Sequence, residues 1–202
     1  MHTAAKQCAV WKEKYTEDLT VNINISPQRA ASGEVPDEVK EVLAQTGLAM
    51  SDIYIELTED GVIMGGVQDI LTQLSEMGAQ IALDDFGSGY SSLGVLRNLP
   101  ICEIKIDASF ISDIETNPKT KGILKVLIDL AHTMNYVVCV EGVETLSQVR
   151  ILAHMGADFL QGYYFSPPIT AEQMETKFLE ESILPQNFTA RHNAIWNNED
   201  PT

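Results

Sequence analysis

The chain has 202 residues, 45% of them hydrophobic, and its 29 acidic against 13 basic side chains leave a net charge of −16. That apolar fraction is ample for the core of one domain or one large single-sheet barrel, which excludes disorder and low complexity. The acidic balance excludes a duplex nucleic-acid binder, which needs a basic surface to displace counterions. It suits a carboxylate-rich site for divalent metal, or plain solvation.

Hydrophobic period predicts short β-type runs alternating with helices. A helix over Ala4–Tyr15 leads into a strand at Thr20–Ile25 (TVNINI), followed by a helix over Val35–Thr46. A strand at Ile53–Leu57 (IYIEL), a helix over Val67–Glu76, a strand at Gln80–Leu83 (QIAL) and a helix over Ser91–Leu99 come next. The pattern continues with a strand at Ile104–Ile106 (IKI), a helix over Lys119–Met134 and a strand at Tyr136–Val140 (YVVCV). A helix over Leu146–His154, a strand at Asp158–Leu160 (DFL) and a helix near Ala171–Glu181 close it. Gly47, Gly78 and Gly156 each follow a helix, where a left-handed residue is commonly needed.

Repeated βα units on short connections imply an α/β fold with a parallel sheet, either doubly wound or closed as a barrel. No Gly-rich phosphate loop follows the first strand, and the two glycines of Asp85–Tyr90 (DFGSGY) come after the third. The barrel is the better reading. The cysteines Cys8, Cys102 and Cys139 form no CxxC pair and read as free thiols of a reducing compartment. The histidines lack ligand spacing. With no run of about 18 apolar residues and no leader pattern, no membrane segment is predicted, and the reading is a cytoplasmic chain.

Polar residues recur where each apolar run ends: Asn24, Glu56, the pair Asp84–Asp85, Lys105 with Asp107, Glu141 with Glu144, and Gln161. Any one of them suits a cap or a turn. Six in succession suit one site, because barrel strands converge at their C-terminal ends on the face that carries chemistry. A strand interior is a costly place for a carboxylate unless it is paired or coordinated. An all-oxygen donor set selects Mg²⁺ or Mn²⁺ over zinc. Adjacent Asp84 and Asp85 can serve two cations, an arrangement suited to attack of water on a phosphodiester. Lys105 adds a positive charge able to orient water or a phosphate oxygen, or simply to balance Asp107 or Glu141.

These segments resemble the EAL family of cyclic di-GMP phosphodiesterases. Val21–Ser26 (VNINIS) is similar to its VNxS strand, Glu56–Glu59 (ELTE) to its E-[IL]-T-E segment, and Leu83–Ser92 (LDDFGSGYSS) to its DDFGTGYSS signature with Ser88 for Thr. Lys105–Phe110 (KIDASF) resembles KIDRSF with Ala108 for Arg. Glu141–Thr145 (EGVET), Gln161–Tyr163 (QGY) and Phe165–Pro167 (FSP) complete the set. The resemblance implies a TIM-type (βα) barrel that binds cyclic di-GMP and cuts one phosphodiester to the linear dinucleotide, using Mg²⁺ or Mn²⁺, in the bacterial cytoplasm. It implies metal ligation by Asn24, Glu56, Asp84 and Asp85, and a nucleophilic water held or activated by Lys105 and Glu141. Asp107, Glu144 and Gln161 would support the site. Phe86, Gly87, Ser88, Gly89 and Tyr90 would form a lid loop, pinned by Glu59.

No Glu-Ala-Leu tripeptide occurs in the chain. Six strands are recognisable where the family barrel has eight, in about 250 residues, so the expectation is an incomplete barrel over residues 1–182, without its first two units. Residues 183–202 would form a tail. Open strand edges invite pairing, either with the missing N-terminal barrel segment or in a homodimer. Such a chain is expected to be weak or inactive alone, and a non-hydrolysing cyclic di-GMP receptor or a protein-interaction regulator is the alternative.

Overall fold

The computed structural model describes residues 1–15, 19–63, 66–87 and 93–179. They fall into two compact units, one ending at Lys105 and the other starting at Ile106.

The first unit runs α1 (His2–Lys14), β1 (Val21–Asn24), α2 (Pro27–Ala31), α3 (Val35–Thr46), a 3-10 turn at Met50–Asp52 and β2 (Ile53–Thr58). It continues with α4 (Glu59–Val62), α5 (Val67–Glu76), β3 (Gln80–Phe86), α6 (Leu93–Leu96) and β4 (Glu103–Ile106), whose last residue opens the second unit. β1, β2 and β3 are parallel, and the sheet order is β1–β2–β3–β4. Strand order here never reverses, as it must in a doubly wound sheet. The barrel-type α/β reading holds.

Register explains the sequence pattern. Asn24 pairs with Glu56, Ile55 with Ile81, and Thr58 with Asp84. With a side-chain period of two, Ile23, Ile53, Ile55, Leu57, Ile81 and Leu83 share one face and are buried. Helices α1, α3 and α5 supply Ala5, Cys8, Val39, Val42, Leu71 and Leu74 to this core. The opposite face receives Asn22, Asn24, Glu56, Thr58 and Asp84. A parallel strand buried on both faces reads as a continuous apolar run; β1 and β2 alternate because one face of this sheet is polar.

Helix α3 matches its predicted span, with Pro36, Asp37 and Glu38 in its first turn and left-handed Gly47 (φ +71°) closing it. Helix α6 is shorter than predicted, and Ser91 and Ser92 lie outside the described residues.

The second unit holds a 3-10 turn at Ala108–Phe110, α7 (Pro118–Thr133), β5 (Val137–Val140), α8 (Leu146–Met155), β6 (Phe159–Leu160) and α9 (Ala171–Met174), which passes into a π turn at Glu175–Leu179. β5 and β6 are parallel neighbours. Ile106, Ile111, Ile114, Leu124, Ile128, Val138, Val140, Val149 and Leu152 form its core. Helix α8 starts with a capping box in which Thr145 and Gln148 each bond the other's backbone N–H. No described helix is long and apolar enough to cross a membrane. The predicted tail at 183–202 lies outside the described residues.

Candidate active site

In the first unit, Glu56, Asp84 and Lys105 meet on the polar face. Lys105 Nζ lies 2.9 Å from Glu56 Oε1 and 3.3 Å from Asp84 Oδ1. Lys105 and Glu56 are nearly closed to solvent, at 5% and 3% exposure, and Asp84 is half-buried. An ammonium and carboxylates this buried persist only as a hydrogen-bonded set. Asp84 Oδ1 also accepts the Asp85 backbone N–H at 3.1 Å. Asp85 has a left-handed backbone (φ +56°), a conformation Asp tolerates better than most residues. Carboxylate oxygens of Asp84 and Asp85 lie within 4.8 Å of each other. Asn24 is exposed on the same face, opposite Glu56 in register.

Each shared carboxylate thus spends one oxygen inside the protein. Glu56 Oε1 serves Lys105 and the side-chain amide of Asn22, whose Nδ2 donates to it at 2.7 Å. Oε2 of Glu56 and Oδ2 of Asp84 have no partner among the described residues. Asn22 escaped the sequence reading, although it stands two residues before Asn24 on the same face of β1.

Glu59 heads α4. Its buried Oε2 accepts the Gly87 N–H at 2.7 Å, tying the end of β3 to α4. Of the predicted lid, Phe86 ends β3 and Gly87 follows it; Ser88, Gly89 and Tyr90 lie outside the described residues.

In the second unit, Glu141 follows β5, and its N–H donates to the Ile106 carbonyl at 3.0 Å. Gln161 follows β6; its N–H donates to Val140 at 2.9 Å and its carbonyl accepts from Val143 at 3.0 Å. Gly162 packs so tightly that a Cβ there would meet Val143 backbone atoms at 2.2 Å. Gln148, buried and also unforeseen, accepts the Glu144 N–H at 2.7 Å and donates to the Ile111 carbonyl at 3.3 Å. Asp107 caps the turn at Ala108–Phe110; hydrogen bonds from the Ser109 hydroxyl and then the Ser109 N–H hold its carboxyl below the usual range. A cavity of about 500 Å³ opens beside Gln161, walled by Tyr163, Phe165, Pro167, Met174 and Phe178.

The family model for the EAL domain matches residues 1–168. The chain belongs to the EAL domain family. This EAL domain is 38% identical over 180 residues to the signaling protein YkoW of Bacillus subtilis, covering 88% of this chain and 22% of that one. It is 35% identical over 173 residues to MucR of Pseudomonas aeruginosa, a bifunctional diguanylate cyclase/cyclic di-GMP phosphodiesterase, covering 85% of this chain and 25% of that one. The EAL domain thus spans about a quarter of the length of such relatives.

Among solved structures, the MucR phosphodiesterase in complex with c-di-GMP superposes with a TM-score of 0.82 at 34% identity, covering 86% of this chain and 71% of that one. The EAL domain of Mycobacterium smegmatis DcpA gives 0.83 at 31% identity, with 89% and 82% covered. BlrP1 of Klebsiella pneumoniae, in a complex with manganese and cyclic di-GMP, gives 0.73 at 28% identity, with 81% and 43% covered.

Proposed function

We propose that this EAL domain carries the hydrolytic site of a cyclic di-GMP phosphodiesterase, opening one phosphodiester of the cyclic dinucleotide. The carrying observation is the pair Glu56 and Asp84, each with one oxygen fixed by Lys105 and the other open. Open carboxylate oxygens beside Asp85 and the amide of Asn24 fit a hard divalent cation, so these four residues would hold Mg²⁺ or Mn²⁺. When bound, such cations neutralise phosphate charge and acidify water.

The remaining steps belong to side chains. Lys105, held beside Glu56 and Asp84, places a positive charge where it can orient a water or a phosphate oxygen. Glu141 accepts the proton of the attacking water. The hydroxide so formed bonds to phosphorus as the P–O bond to one ribose oxygen breaks, and that leaving oxygen is protonated by the proton Glu141 took up, passed on directly or through solvent. Asp107, Glu144 and Gln161 support the site, and Glu59 holds the base of the loop 86–90 through Gly87. The whole domain acts as a homodimer or joined to further barrel strands, which would pair with β1, the end strand of the sheet among the described residues.

Since the chain carries no Glu-Ala-Leu tripeptide, these 202 residues alone are expected to turn over cyclic di-GMP slowly or not at all. The test is product chromatography with Mn²⁺ present, with and without an added polypeptide bearing the two absent family strands. Turnover that this polypeptide restores, and that Lys105→Ala or Glu141→Gln abolishes, supports the reading. Tight binding of intact nucleotide by the completed domain, without turnover, would make it a receptor instead.

A further inference from the structure

We infer that Asn22 is a positioning residue, which fixes Glu56 so that a single oxygen is left for a cation. The inference rests on the phosphodiesterase reading of Glu56 and extends it to a residue to which the family resemblance assigns no role. Asn22 pairs with Tyr54 across the β1–β2 ladder, yet its side chain reaches diagonally to Glu56, two residues further along β2.

The geometry decides the role. One carboxylate oxygen offers two lone-pair directions. On Glu56 Oε1 these go to Asn22 Nδ2 at 2.7 Å and Lys105 Nζ at 2.9 Å, so that oxygen is saturated. Oε2 remains open among the described residues. Lys105 alone would leave Glu56 free to swing about one contact, because its ammonium also serves Asp84. A second, neutral donor from the opposite side removes that freedom without adding charge. Asn22 itself is exposed, and the side-chain contact the structure gives it is this bond to Glu56.

The test uses Mn²⁺ alone, titrated calorimetrically into the 202-residue protein and its variants Asn22→Leu, Asn22→Gln and Glu56→Gln. Leu matches the size of Asn without its donor; Gln keeps the donor on a longer stem. Asn22→Leu is expected to bind Mn²⁺ about tenfold more weakly, the usual order for losing a group that orients a ligand. Asn22→Gln should recover most of that loss and melt close to the parent, while Asn22→Leu, which strips a donor from a buried carboxylate, should melt a few degrees lower. Parent-like Mn²⁺ affinity in Asn22→Leu, with Glu56→Gln weakened, overturns the role of Asn22 and leaves the metal reading standing. Parent-like affinity in Glu56→Gln overturns both. Equal weakening in the Leu and Gln variants with a shared fall in melting temperature makes Asn22 merely structural and also overturns the inference.

Discussion

Lys105 on β4 places its ammonium 2.9 Å from Oε1 of Glu56 on β2, across the intervening β3, and both side chains are almost withdrawn from water. The pair is costly to assemble and more costly to break. Lys105→Met would leave Glu56 and half-buried Asp84 without their shared cation, and a buried charge stripped of its partner costs about 3 kcal/mol. Urea unfolding followed by circular dichroism should show a loss of that order. The double variant Lys105→Met/Glu56→Gln should regain about half of it, because one of the two stranded charges is gone. A single variant as stable as the parent would mean that the pair is solvated in solution.

Glu59 and Gly87 make a second prediction. The buried carboxylate accepts a backbone N–H at 2.7 Å, one residue past the end of β3. Glu59→Ala leaves that N–H without its acceptor, a penalty of about 1–3 kcal/mol. Hydrogen exchange at Gly87 should quicken by about tenfold, the equivalent of about 1.4 kcal/mol of local opening. Glu59→Gln keeps an acceptor oxygen and should exchange at an intermediate rate. Unchanged protection in Glu59→Ala would show that Gly87 is held by other contacts.

Much of this fold is legible in the sequence, and the reasons are local. Helices Val35–Thr46 and Val67–Glu76 have the predicted limits because a regular apolar stripe marks their length. The single-turn helices α2 and α4 are too short to show a period. Ser26 before Pro27 is nonetheless a usable signal for α2, since the serine side chain accepts the Arg29 N–H and proline suits the first turn. The strand-end acids stand out in the chain, but which of them meet is decided by register, a non-local property. Nothing near Lys105 in sequence names Glu56 and Asp84 as its partners. Asn22 was hidden for a different reason: its neighbour Asn24 fits a motif, and Asn22 fits only the two-residue period of the strand.

Asp107 gives a pH prediction whose sign follows from its depressed carboxyl. Hydrogen bonds from Ser109 favour the charged form in the folded chain, against an ordinary value of about 3.9 when unfolded. A group depressed on folding contributes its stability above the unfolded value and loses it as pH falls through the folded one. The side chain is largely solvated, so the contribution is below about 1 kcal/mol. Asp107→Asn keeps a capping oxygen but does not titrate. Its unfolding free energy should fall less steeply than the parent's as pH drops below about 4, and the two curves should converge at the acid end. Parallel curves would show that Ser109 does not discriminate the charged carboxyl.

Gly142 follows Glu141 at a point where backbone shape and packing both forbid a side chain. Its φ of +74° is left-handed, and a Cβ there would lie 2.4 Å from Ala108 Cβ and 3.1 Å from Ala108 Cα. These are separate penalties. A left-handed non-glycine costs about 1 kcal/mol whatever surrounds it, and an overpacked contact of this kind costs about 1–3 kcal/mol. Gly142→Ala is therefore expected to destabilise the protein by about 2–4 kcal/mol in total. Ala108→Gly removes the Cβ–Cβ clash but not the strain in φ, so Gly142→Ala/Ala108→Gly should recover only part of the loss. Because Glu141 is anchored through its own N–H to Ile106, relief of the clash by backbone movement would pull on that bond, and hydrogen exchange at Glu141 should report it. Slower exchange at Glu141 in the double variant than in Gly142→Ala is the expected result. Full recovery of stability in the double variant would place the whole cost in the contact and none in the backbone. Parent-like stability of Gly142→Ala would mean that the segment from Asp107 to Phe110 gives way without resistance.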